Sequence, residues 1–300
     1  MQHKPLITII CLCYNQGEYV LESLRSVLNQ DYESIELIIV DDCSTDNSKT
    51  VIEKWLFDYP KIQFIANKTN LGSTKSFNKA LKLAKGDYII DLAADDVLLH
   101  NCVSLQYNAF VNSSFKNLGL VYGNAALINE DGNFESYYFG VDDHKKIIEK
   151  RATGDIYLSV ITGGNSICSV SAMVKKTVFD ELKGYDENLA YEDLDFWIRA
   201  SRIYEFDFID EILIQKRVVS NSLGTEFFKK NNKINASTYI LLKKAIRLNQ
   251  TKEENKAILK RIHFEMILAF RTSNFTLLLK YTALELTLRM TIFLSNSLNS

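Results

Sequence analysis

The chain has 300 residues, 47% of them hydrophobic, with 2 Pro, 12 Gly and a formal net charge of −2. Those values suit one large globular domain, or a domain with an appendage, and exclude a disordered, low-complexity or solenoid chain. Five cysteines (Cys11, Cys13, Cys43, Cys102 and Cys168) are an odd number without paired-ligand spacing, and they read as reduced thiols of a cytosolic protein.

In chain order, residues 6–13 (LITIICLC) form an apolar strand, broken by Tyr14, Asn15, Gln16 and Gly17. That apolar run is too short for a secretory leader, and no uninterrupted apolar stretch in the chain is long enough to span a bilayer. Residues 18–29 place Val20, Leu21, Leu24, Val27 and Leu28 at helical spacing. A second apolar strand, IELIIV (35–40), is closed by DDCSTDNS (41–48). A helix follows with Val51, Ile52, Trp55 and Leu56 on one face, then a short strand at 62–65 and a helix over 73–85 that Gly86 ends. The strand at 87–92 runs into the adjacent carboxylates Asp95 and Asp96.

Strands alternating with helices predict βαβ units and a mostly parallel sheet, in which ligands bind beyond the carboxyl ends of the strands. Three strand ends carry polar clusters, Tyr14-Asn15, Asp41-Asp42 and Asp95-Asp96, and a parallel sheet brings all three to one rim. Paired aspartates there supply the hard oxygen ligands that a divalent cation on a diphosphate needs, although Asp also recurs in plain turns. No GxGxxG follows the first strand, which disfavours a dinucleotide fold of the usual type.

The blocks from ITIICLCYNQ through VDDCSTDNS, then NLGSTKSFNKALKLAKGDYIIDLAADD, then VKKTVFDELKGYDENLAYEDLDFWIRAS (174–201), resemble the family 2 glycosyltransferases in order and spacing, over residues 6–223. The resemblance implies a GT-A fold, a UDP-sugar donor and inverting transfer to a hydroxyl of a glycan acceptor. It implies a nucleotide site at Cys13, Tyr14, Asn15 and Asp42, with Asn70, Gly72 and Asn78 lining the pocket and Arg217 on the diphosphate. Asp41 reads either as part of that site or as a turn former. Asp95 and Asp96 match the metal-binding end of the family's D-x-D motif and imply Mn²⁺ or Mg²⁺. Many members carry another carboxylate where this chain has Ala93, and a histidine where it has Val219. Glu192 and Asp193 match the family's catalytic pair, with Asp193 as the base; acids at a helix start also suit the macrodipole. Residues 162–165 (TGGN) and 184–187 (GYDE) match the acceptor half.

The resemblance ends near residue 223, and the composition changes there. From Lys229 to Ser300 there are 13 Lys+Arg against 4 Asp+Glu, a net of +9, whereas the first 228 residues carry a net of −11. Residues 224–300 are therefore expected to form a basic helical region. It would pack on the catalytic domain, join a second copy or lie on a membrane surface beside a lipid-linked acceptor. No nucleic-acid module is visible. The expected protein is a cytoplasmic enzyme, or one peripheral on the inner face of the cell membrane, acting in surface polysaccharide, lipopolysaccharide or glycoprotein glycan assembly. The alternatives are a nucleotide-sugar-binding module with little turnover and, less in keeping with the CYNQGEY loop, a sugar nucleotidyltransferase.

Overall fold

The computed structural model describes residues 4–163, 167–191, 193–219 and 233–297. The first half is the alternation expected from the sequence: β1 (Ile7–Cys13), α1 (Val20–Leu28), β2 (Ile35–Asp41), α2 (Ser48–Leu56), β3 (Gln63–Ala66), α3 (Ser73–Leu81) and β4 (Tyr88–Ala93). β1 lies between β2 and β4, parallel to both, and β3 is the outer parallel neighbour of β2. Six of the seven residues of β1 are buried, as a strand covered on both faces requires. α1 turns Val20, Leu24 and Val27 into the core at spacings of four and three residues.

The second half of the sheet is mixed. β8 (Met173–Lys175) runs antiparallel to β4 and to β6 (Leu118–Ile128). β6 then pairs in parallel with the long β9 (Glu205–Arg217), and β7 (Phe134–Tyr137) hangs off β6. β5 (Val97–Leu98) pairs antiparallel with β9 through Gln215 and Ile214, so the Asp95–Asp96 turn bridges β4 to β9. The connecting helices are α4 (Cys102–Asn112), α5 (Tyr157–Thr162), α6 (Lys176–Leu182) and α7 (Asp193–Ser201).

Three further helices follow: α8 (Lys233–Leu248), α9 (Lys252–Arg271) and α10 (Phe275–Ser297). α9 opens with a capping box. Thr251 Oγ1 accepts from the Glu254 N–H, and the Glu254 carboxylate accepts from the Thr251 N–H, both at 3.1 Å. α8 and α9 pack on the α/β body. Ile234, Leu241, Ala245, Ile258 and Ile262 belong to the same buried cluster as the sheet. Polar ties reinforce the packing. Tyr157 Oη donates to Asn249 Oδ1 at 2.8 Å, Arg202 pairs with Glu254 at 2.8 Å, and Lys244 bridges Asp186 and Asp195. No helix among the described residues is long and apolar enough to cross a membrane.

Candidate active site

The ends of β1 and β2 are stitched together before any ligand is considered. Asn15 adopts a positive φ of 55°, which its short polar side chain tolerates, and its Oδ1 accepts from Thr45 N at 2.7 Å. Gln16 N donates to Ser48 Oγ and Gly17 N to Asp46 Oδ2. Cys13 is buried, and burial pushes its thiol up to about 11, so it packs the floor as a neutral group. Tyr14, by contrast, is 45% exposed on the rim.

The adjacent aspartates that follow are both buried and do different work. Asp42 holds the loop before α3: Oδ1 accepts from Leu71 N at 2.9 Å and Asn67 Nδ2 at 2.8 Å, and Oδ2 accepts from Gly72 N at 2.7 Å. Asp41 accepts from Ser44 N through Oδ2 at 3.2 Å, while its Oδ1 is buried with no hydrogen-bond partner. A buried acceptor without a donor is costly and marks a place where a ligand donor fits. Asp42, the residue expected at the base, is engaged within the protein. Its oxygens are spent on the 67–72 loop, and the open acceptor belongs to Asp41.

Gly72, at φ 86°, starts α3, and Asn70 Oδ1 accepts from its N–H at 3.1 Å. A side chain at that φ is strained, so glycine suits the turn. Asn78 does not stand free to line a pocket. Its Oδ1 accepts from Tyr185 N at 2.9 Å, and its Nδ2 donates to Tyr185 O at 2.9 Å and to Glu187 Oε1 at 3.1 Å. It docks the 184–187 turn onto α3, where Tyr185 joins Phe77, Phe179 and Phe196 in an aromatic cluster. Tyr185 Oη in turn donates to Asp91 Oδ2 at 3.1 Å.

At the end of β4, Asp95 is half-buried and receives a hydrogen bond from the Gln16 side chain. Asp96 is 3% exposed, and its Oδ1 accepts from Arg217 N at 2.9 Å. Burial, then the neighbouring Asp95 charge, pushes the Asp96 carboxyl up to about 7; burial raises Asp95 as well. Arg217, the residue expected on the diphosphate, is engaged as an internal clamp. It is 4% exposed; Nε donates to Asp95 O, Nη1 to the carbonyls of Asn129 and Glu130, and Nη2 pairs with Glu22 at 2.6 Å. Arg217 favours the ionised forms of Asp95 and Asp96, and a second basic group, Lys216, acts on the acids from the neighbouring position. Its charge favours the ionised forms of Asp95, Asp96 and Asp193 alike.

Asp193 opens α7, with Oδ1 accepting from Leu194 N at 2.7 Å and Oδ2 from Ser169 Oγ at 3.3 Å. Burial raises its carboxyl above the usual aspartate range, against these two hydrogen bonds and the Lys216 charge. Just before it, Tyr191 Oη and Thr238 Oγ1 of α8 lie 2.9 Å apart, and Ala190 N donates to Ser237 Oγ at 2.9 Å. The C-terminal helices thus brace the segment leading to Asp193. Glu192 lies outside the described residues, as do the last two residues of TGGN and the last three of KRVVSNS.

The family model described as glycosyl transferase family 2 matches residues 8–181. An uncharacterised glycosyltransferase of Methanocaldococcus jannaschii is 33% identical over 223 residues, covering 72% of this chain and 71% of that protein. Glycosyltransferase GlyG of Streptococcus pneumoniae is 28% identical over 235 residues, 75% of each. Among solved structures, S. aureus TarS 1–349 in complex with UDP-GlcNAc superposes with a TM-score of 0.63 at 18% identity, over 85% of this chain and 71% of that one. The mannosyltransferase PcManGT of Pyrobaculum calidifontis, in complex with GDP-Man and Mn²⁺, gives 0.61 at 16% identity, over 94% and 74%. These two likenesses establish a common GT-A fold.

Proposed function

The chain belongs to glycosyl transferase family 2, and on that premise we propose that it is an inverting transferase moving a sugar from a UDP-sugar to a hydroxyl of a glycan acceptor. The observation that carries this reading is the convergence of two acidic groups from distant parts of the chain. The pair at the end of β4 is held by the Arg217 N–H of β9, and the neighbouring Lys216 lies beside Tyr138, whose Oη donates to Ile167 O two residues before Ser169, the hydroxyl partner of Asp193 at the start of α7.

Each rim residue then has a role that its chemistry allows. The exposed Tyr14 ring stacks on the base, and Asp41 Oδ1 accepts the N3–H of uracil. Asp42, Asn70 and Gly72 fix the loop that walls the pocket. Asp193 takes the proton of the acceptor hydroxyl as that oxygen attacks the anomeric carbon. The new carbon–oxygen bond forms on the face opposite the nucleotide. The bond to the phosphate breaks, and UDP leaves with its electron pair, so the configuration inverts.

The donor set fits a divalent cation that arrives with the diphosphate better than an ion caged by protein. No group of three His, Cys, Asp or Glu ligands occurs among the described residues, and Asp96 Oδ1 is already engaged by a backbone N–H. Mg²⁺ and Mn²⁺ commonly bind through one or two carboxylates, with substrate phosphates and water completing the shell. Asp95, with the second oxygen of Asp96, would hold Mn²⁺ or Mg²⁺ there. When bound, the cation supplies charge stabilisation to the leaving diphosphate.

The acceptor proposed is a glycan in surface polysaccharide, lipopolysaccharide or glycoprotein assembly. The exposed Leu279, Leu286, Met290 and Phe293 of α10 support a contact with a lipid surface or a second copy. Ala93 favours the rival reading, a nucleotide-sugar-binding domain with little turnover. Calorimetry with UDP in the presence and absence of Mn²⁺, followed by a UDP-sugar hydrolysis screen of the parent and Asp193→Asn, separates the two. Hydrolysis lost in Asp193→Asn supports the transferase. Binding without hydrolysis of any donor supports the binding domain.

A further inference from the structure

Lys216 sits one residue from Arg217 on β9, opposite Leu127 of β6, and strand alternation sends the two basic side chains to opposite faces. The Arg217 N–H on Asp96 holds the peptide between them against the acid pair. The Lys216 ammonium lies 5.9 Å from the centre of the Tyr138 ring. Tyr138 Oη donates to Ile167 O, two residues before Ser169, whose hydroxyl bonds Asp193. The ammonium therefore occupies the interval between the nucleotide half and the acceptor half of the site.

Lys216 is half-buried, yet among the described residues no hydrogen bond engages its ammonium and no carboxylate comes within the 4.0 Å of an ion pair. A cation that has lost part of its water and gained an aromatic ring but no anion is stabilised by an anionic ligand. We propose that Lys216 is a donor-binding residue, its ammonium placed to receive the sugar-bearing phosphate of the nucleoside diphosphate. A fixed positive charge there neutralises the leaving phosphate as its bond to the sugar breaks. The inference rests on the nucleotide-sugar reading above but not on the identity of the base.

The test is titration calorimetry of the full chain with UDP, GDP, CDP and dTDP, and with the monophosphate of whichever binds, in Mn²⁺ and in EDTA. Lys216→Met should weaken the diphosphate about tenfold or more, most clearly in EDTA, and leave the monophosphate unchanged. Lys216→Arg should restore most of the affinity. If Lys216→Met binds the diphosphate as tightly as the parent, the inference is overturned and the donor reading stands. Equal losses for monophosphate and diphosphate would reveal a structural role and overturn it too. A parent chain that binds none of the four diphosphates overturns the donor reading and this inference with it.

Discussion

The backbone N–H of Arg217 donates to Asp96 Oδ1 at 2.9 Å, joining the end of β9 to the end of β4 across 121 residues of sequence. The same arginine closes the corner with its side chain, satisfying the carbonyls of Asp95, Asn129 and Glu130. Arg217→Met leaves these acceptors without their charged donor, and the expected loss is on the order of 3 kcal/mol of folding stability. Denaturant unfolding checks it. A variant that unfolds like the parent but loses UDP affinity would return Arg217 to the ligand shell.

Asp41 and Asp42 should separate binding from stability. Asp42→Asn turns an N–H donor toward the Leu71 or Gly72 N–H and should cost about 1–2 kcal/mol. Asp41→Asn can keep the bond from Ser44 while losing the acceptor offered to the base. UDP affinity should fall about tenfold with thermal stability unchanged or raised. Paired calorimetry and thermal melts on the two variants read both effects.

The pH profile of turnover reports on Asp193. A general base works deprotonated, so kcat/KM rises as pH climbs through its pKa and levels off above it. Because burial raises that pKa, the acid limb should fall above the ordinary aspartate value of 3.8. Ser169→Ala removes a hydrogen bond that favours the ionised form, so the limb should move to still higher pH. Asp193→Asn should lose about a hundredfold or more in kcat.

Asp96 gives the apo protein a second pH signature. Its carboxyl ionises near 3.8 in the unfolded chain and at about 7 in the fold, so between those values the native state holds the extra proton. Its contribution to stability is therefore greatest at low pH and falls as pH rises from about 4 to 7. Thermal melts in EDTA should show a decline over that interval that flattens in Asp96→Asn. Added Mn²⁺ should offset the decline at pH 8 in the parent and much less in the variant.

The nucleotide half of the fold is plain in the sequence because each parallel strand is buried on both faces and must be a continuous apolar run. ITIICLC, IELIIV and YIIDLA could hardly be surface segments, and the helices between them repeat apolar residues every three or four positions. Parallel pairing then forces the polar strand ends to one rim. The long strands β6 and β9 are less legible in the sequence. Their partners lie far off in sequence: β6 lies between β8 and β9, and β9 reaches β5 more than a hundred residues upstream. Asn78 was legible as a motif residue but not as the peg that receives Tyr185, because that turn lies 107 residues away.

The sequence by itself determined the family, the alternation of strands and helices, and the identity of the acidic clusters. The tertiary structure decided which member of each adjacent polar pair is available. Asp41 keeps an open acceptor while Asp42 clasps a loop, Asp95 is half-buried while Asp96 is sealed under β9, and Lys216 stands without an ion pair among the described residues while Arg217 is locked inside. The physical reason is local. Side chains one residue apart near a strand end leave in different directions, so a shift of one position exchanges a ligand for a brace. Only the neighbours contributed by distant parts of the chain fix which is which.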